Sequence, residues 1–225
     1  MMREWLVREA EKFKYYLALE KIRRKHDALF FNEIRRFFHE ELIILLALLN
    51  WDKEKILQAL DAREQRLNFL LAPLYQNCAM EFYSLDFSQK SLYNVFSISN
   101  NVIEYRCRKI IETTKRYVEQ AFNYPEQVRE KITALYSGNG RVNRIARTEV
   151  NTASNLGLYE AALAQGKRFK IWICSREDTV RHGHRNLENE KVSIKERYSN
   201  GLLYPGDIKG TAGQVINCRC FQIFV

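Results

Sequence analysis

All nine glycines of this 225-residue sequence lie at or after Gly138. Before that point the only proline residues are Pro73 and Pro125. Glycine and proline supply most of the tight turns that a sheet requires, so the first 137 residues must fold as helices. The apolar spacing agrees: Leu6, Ala10, Phe13, Leu17 and Ile22 recur at helical steps between charged positions, predicting a helix from Arg3 to about His39. A break is expected at Asn50-Trp51-Asp52, where Asp52 can cap a helix starting at Lys53. A second break is expected at Leu71-Ala72-Pro73. Ser84 to Ser99 is less periodic and predicts connections or short helices. From Val102 the stripe Ile103, Cys107, Ile110, Thr114, Tyr117 and Ala121 predicts another helix, ended by Tyr124-Pro125 with Pro125 opening the next one.

Ser137-Gly138-Asn139-Gly140 reads as a turn, followed by a long helix from about Arg141. One face of that helix, Val142, Ala146, Val150, Ala153 and Gly157, is small or β-branched and suits close approach of a neighbour. A second face, Arg144, Thr148, Asn151 and Asn155, is polar without being Lys- and Glu-rich, so part of it is expected to pack on the segment that follows. Gly166 is the expected left-handed residue closing the helix. The period then changes to two. Phe169, Ile171 and Ile173 alternate with Lys170, Trp172 and Cys174, predicting a strand; Val192-Ser193-Ile194 predicts another after a turn at Glu188-Asn189-Glu190. Tyr204-Pro205-Gly206-Asp207 is a turn, and Gln214 to Val225 reads as the last strand. The fold class is α+β: a mostly helical N-terminal region (1–100 as an arm of unknown partner), then a C-terminal part over 101–225. In that part long helices run to 166, and a small α+β unit with a short antiparallel sheet spans 167–225.

With 46% hydrophobic and 28% charged residues the chain can bury a core, which excludes disorder as its main state. The longest apolar run, Leu42 to Leu49, falls far short of the roughly 20 residues that span a bilayer. No membrane partner is expected, and the charged start carries no secretory pattern. Of the net charge of +9, positions 137–225 hold the larger part, with 14 Lys and Arg against 8 Asp and Glu. Such a surface favours nucleic acid or an acidic protein partner. The five cysteines do not read as a disulfide framework; Cys78 and Cys107 fall inside helical patterns as buried apolar residues.

Two pairs carry possible chemistry. His182-x-His184 and Cys218-x-Cys220, if extended, each place two donors on one face, and two imidazoles with two thiolates suit tetrahedral zinc. The alternative is that Cys218 and Cys220 fill the core and His184 is hydrogen-bonded beneath a turn. Glu149, Glu177, Asp178, His182 and His184 are the candidates for acid–base work, but no nucleophile motif or phosphate-cradling loop accompanies them. The expectation is therefore a protein that is not an enzyme and holds no cofactor, zinc excepted. Any activity would run through His184 and Glu149.

Five features occur in a distinctive order. They are Arg141-x-x-Arg144-Ile145-Ala146-Arg147-Thr148-Glu149 with Asn155 and Gly157, a strand with Trp172, an acidic residue before Arg181-x-x-His184, Pro205-Gly206-Asp207, and Asn217-Cys218-Arg219-Cys220. Together they resemble the phage Mu F-like head morphogenesis family of minor capsid proteins, over roughly residues 100–225. The family's usual Asp falls here on Glu177, with Asp178 beside it, and the proline after Pro-Gly-Asp is Ile208. The resemblance implies a head component of a phage or prophage, in the virion or procapsid and assembled in the host cytoplasm. It would associate with the portal protein and other head proteins and act in DNA packaging or delivery, with packaged double-stranded DNA a possible non-specific contact. In that picture Arg147, Glu149, Asn155, Asp178, Arg181, His184, Asp207, Asn217 and Arg219 form a buried polar network joining the long helix to the small sheet. The rival readings are a metal-binding nuclease or toxin-like enzyme and a non-specific DNA-binding module.

Overall fold

The described residues of the glycine-free stretch fold almost wholly as helices. The structure, a computed structural model, describes residues 2–48, 53–85, 92–175 and 180–225. Helix α1 (Met2–Leu48) is continuous for 47 residues, longer than expected because the apolar run after Glu41 extends its buried stripe. After it come α2 (Lys53–Asp61) and α3 (Arg63–Ser84). The expected start at Lys53 is observed; Asn50, Trp51 and Asp52 lie outside the described residues.

The break expected at Pro73 is absent. Pro73 sits inside α3, and the chain turns at Ala62 instead. Proline deprives the carbonyl four residues back of its donor. Here that residue is Phe69, on the exposed side of the helix, where water can replace the lost bond. The opposite side, Leu67, Leu71, Tyr75, Cys78 and Phe82, is fully buried, and this packing outweighs the local penalty.

Helix α4 (Leu92–Ala121) begins ten residues before the predicted Val102. Its buried stripe includes Ile103, Cys107, Ile110 and Thr114 but then passes to Val118, leaving Tyr117 exposed. A short 3-10 segment, Pro125–Gln127, has Pro125 in its first turn and leads into α5 (Val128–Ser137). Extended backbone at Gly138 separates α5 from α6 (Asn139–Ala164).

Helix α6 is the axis of the fold. It contacts α1, α3 and α4, and its residues from Thr148 to Ala162 are all buried. At Gly157 a Cβ would lie 2.1 Å from the Ala79 carbonyl oxygen, so glycine is what lets α3 and α6 touch backbone to backbone. The main hydrophobic core runs from Tyr16 on α1 to Phe221, so a boundary at residue 100, itself inside α4, does not divide it.

Gly166 closes α6 in the left-handed region, with φ +69°. The sheet follows, in the order β2-β1-β3, all antiparallel: β1 (Phe169–Ile173), β2 (Lys191–Ser193) and β3 (Phe221–Phe224). Two short helical turns interrupt it, α7 (His182–Arg185) and α8 (Ala212–Val215). The strand expected from Gln214 is thus shorter. Thr211 and Gln214 form a reciprocal capping box that starts a helical turn at Ala212, and pairing with β1 begins only at Phe221. A second, smaller core of Trp172, Cys174, Leu187, Tyr198, Leu202, Cys218 and Cys220 lies within this C-terminal unit.

Candidate functional site

The polar face of α6 packs on the C-terminal unit. The Asn155 side-chain amide donates to the Cys220 carbonyl at 3.1 Å, and Gln222 donates back to the Asn155 carbonyl at 3.3 Å. Thr148 Oγ1 accepts the Asn217 backbone N–H at 2.8 Å, while Arg147 Nε donates to Asn217 Oδ1 at 2.9 Å. Asn217 has φ +57°, a left-handed position that asparagine tolerates. Arg181 donates to the neighbouring Ile216 carbonyl. These contacts fix the segment that carries Cys218, Arg219 and Cys220.

Arg219 is buried and reaches the first helix. Its guanidinium donates to Asp27 at 2.7 and 3.2 Å and to Glu20 at 3.1 Å. Arg23, fully buried, donates to Glu20 at 3.1 Å, to the Arg219 carbonyl at 3.1 Å and to Ser154 of α6 at 3.0 Å. Two cations and two carboxylates thus lock α1, α6 and the C-terminal segment together. Burial alone raises the Glu20 carboxyl, but Arg23 and Arg219 together hold it below its ordinary range. At Asp27 burial wins over Arg219 and the pKa is raised.

Glu149 belongs to a different cluster. Arg106 of α4 clamps it through two bonds of 2.5 and 2.8 Å, and the Tyr75 hydroxyl of α3 donates to the same carboxylate. Burial and the adjacent carboxylate push Tyr75 well above its usual pKa. Beside this cluster a cleft of about 390 Å³ opens between α4, α6 and residues 208–216, with Arg106, Arg141 and Arg144 on its wall. Burial lowers Arg141 to about 10, and its guanidinium stacks 4.5 Å from the Phe38 ring centroid.

Asp207 organises the Tyr204–Asp207 turn. It accepts the Leu203 and Lys209 backbone N–H groups at 2.8 and 3.0 Å and pairs with Arg197 at 2.8 Å. Gly206, at φ +91°, lies against Thr152 of α6, where a Cβ would come within 3.0 Å of Oγ1.

His184 is buried, and its Nδ1 lies 3.6 Å from the sulfur atoms of both Cys218 and Cys220. Its ring meets Trp172 edge to face, centroids 5.4 Å apart. Cys174 completes the surroundings, donating to the His184 carbonyl at 3.0 Å and packing in the same small core as Cys218 and Cys220. Interaction with Cys220, opposed by burial and aided by the imidazole, draws the Cys218 thiol well below its ordinary pKa. Cys174 and Cys218 push Cys220 above its own.

The eight described residues among those assigned to one network therefore occupy separate clusters. Glu149 faces α3 and α4 and bonds to no residue of the C-terminal unit among the described residues, because the α6 face it occupies points away from the sheet. Asp178, like Glu177, lies outside the described residues. His182 does not join His184 at the thiols. The pair sits in a helical turn and not on a strand, so side chains two residues apart diverge and His182 is exposed.

Sequence reasoning missed Glu20, Arg23, Asp27, Tyr75, Arg106 and Lys170. A signal existed for the first helix: Arg23 and His26 fall on the same buried stripe as Leu19 and Phe30. Lys170 is buried in the strand centre, donates to the Leu203 carbonyl at 2.6 Å and is lowered to about 8, burial being the main cause.

Residues 109–223, just over half of the chain, match the family described as Phage Mu protein F like protein. The chain belongs to this family. Neither the curated proteins nor the solved structures gave a significant match. The Mu F-like segment begins within α4 and runs to β3, so it holds both Glu149 and the His184–Cys218–Cys220 cluster. The side-chain partners of Arg219 and both partners of Glu149 lie before it, on α1, α3 and α4.

Proposed function

We propose that this protein is a phage head morphogenesis protein, a minor capsid component that acts at the portal vertex during procapsid assembly and DNA packaging or delivery. Membership of the Mu F-like family carries this reading. The role is structural and not catalytic: buried charges of the family segment hold helices and turns together, Glu149 with Arg106 of the preceding stretch and Asp207 with Arg197. Portal and other head proteins are its partners, in the virion or procapsid assembled in the host cytoplasm. The positive wall of the cleft beside Arg144 and the basic C-terminal part support a further, non-specific contact with packaged double-stranded DNA.

Quantitative mass spectrometry of gradient-purified particles, with the portal protein as internal standard, tests the reading. The chain is expected to co-band with particles at or below portal stoichiometry. Abundance in the lysate with absence from particles and procapsids overturns it.

A further inference from the structure

The buried His184–Cys218–Cys220 cluster lies within the Mu F-like segment but takes no part in the Arg106–Glu149 and Arg197–Asp207 pairs. Its three donor atoms lie within 4.8 Å of one another, and each residue is buried. Hydrogen bonding does not account well for the arrangement. A neutral imidazole nitrogen offers one lone pair, yet two thiols face Nδ1 at the same 3.6 Å. Only one S–H can donate along that lone pair. The other ring nitrogen, Nε2, is buried without a partner among the described residues, so the two sulfurs are the polar groups that orient the ring.

A metal resolves the competition. Zinc bonds of about 2.3 Å to sulfur and 2.0–2.1 Å to nitrogen, set at tetrahedral angles, separate the two donors by about 3.6 Å. That is the separation found for both sulfurs. The Cys220 backbone N–H also points at Cys218 Sγ at 3.4 Å, a bond that stabilises a thiolate. Trp172 holds the ring in place from the side.

We propose that His184 Nδ1, Cys218 and Cys220 bind one zinc ion in a closed structural site, with Cys174 as the fourth ligand. Cys174 leaves β1 beside the cluster, packs in the same small core as Cys218 and Cys220, and donates its thiol to the His184 carbonyl. Turning about its Cα–Cβ bond exchanges that weak bond for a ligand position. The ion would tie the end of β1, the α7 turn and the segment before β3 at one point. Each binding thiol gives up its proton to solvent as the metal enters.

The test uses the full chain, reduced and stripped of metal, titrated with cobalt(II) and then zinc. One equivalent of cobalt is expected to give the visible bands of tetrahedral thiolate coordination, and equimolar zinc should abolish them. Zinc-edge absorption on the loaded wild type should show three sulfur and one nitrogen neighbours. His182→Ala should bind as the wild type does, while Cys218→Ser and Cys220→Ser lose the spectrum. A folded, reduced wild type that binds no cobalt overturns the site, as does undiminished binding by both serine variants. A wild-type spectrum in Cys174→Ser, or a zinc edge with only two sulfurs, overturns the assignment of the fourth ligand. Because the edge measurement is made on the wild type, it stands even where a variant fails to fold.

Discussion

Arg219 and Asp27 lie 192 residues apart in the chain and meet through two hydrogen bonds, the shorter 2.7 Å. With Glu20 and Arg23 they form an ion cluster in which both guanidinium groups are almost wholly removed from water. Removing one member of such a cluster leaves an opposite charge buried and uncompensated. Arg219→Met is therefore expected to lower the unfolding free energy by about 3–5 kcal/mol, read by chemical denaturation. Arg219→Lys should recover only part of it, since an ammonium cannot reproduce the forked contact with Asp27. A loss below about 1 kcal/mol, the range of exposed pairs, would show that the cluster contributes little.

Arg147 gives a graded comparison. Its bond to Asn217 lies near the surface, so Arg147→Ala should cost about 1 kcal/mol, well below Arg219→Met. Equal losses in the two variants would contradict this ordering.

The Arg106–Glu149 pair is testable by a double-mutant cycle. Glu149→Gln and Arg106→Met should each destabilise, and the double variant should lose much less than their sum. The expected coupling is about 2–3 kcal/mol for a bidentate buried pair. Additive losses would mean that the two side chains act independently.

Glu160 sets a pH dependence. Burial raises its pKa from an ordinary 4.5 to about 7 in the folded chain. Between those values the folded state holds the proton that the unfolded state has released, so this residue's contribution to stability falls as pH rises from about 4.5 to 7. Glu160→Gln should remove that slope and be more stable than the wild type at pH 8, by on the order of 2 kcal/mol. Stability curves of the two proteins that run parallel across this window would refute the assignment.

Two glycines of α6 should respond oppositely to alanine. At Gly157 the new methyl meets the Ala79 backbone at 2.1 Å and must push α3 away, at a cost of about 3 kcal/mol or more. At Gly140 nothing lies within 4 Å, and the helical position should gain about 0.5 kcal/mol. Thermal melting of the pair decides it.

Much of the backbone is legible locally. The missing glycines announce the helices, Gly166 ends α6 as its position implies, and Asn189, at φ +65°, turns the chain into β2. The Thr211-Ala212-Gly213-Gln214 capping signature is equally present in the sequence and competes there with the pattern that suggests a longer strand. Pro73 fails for another reason. Local chemistry predicts a break, but a whole buried face spread over five turns resists it.

The candidate site is less legible because its partners are distant. Nothing near Glu149 in the chain indicates Tyr75 or Arg106, and nothing near Arg219 indicates Glu20. The two histidines show the same limit at short range. Whether His182 joins His184 depends on whether the backbone there is extended or helical, and their spacing fits both.

The Arg219 clamp also bears on the order in which the chain assembles. Glu20 and Arg23 are made almost 200 residues before Arg219, their partner. During synthesis, the first helix must keep two buried-to-be charges in water until that partner exists. The nascent helices can collapse on one another early, but they lock only when the Cys218–Cys220 segment reaches them. Closure of the helices thus waits on Arg219, and interruption of synthesis shortly before that residue should leave a helical chain without it.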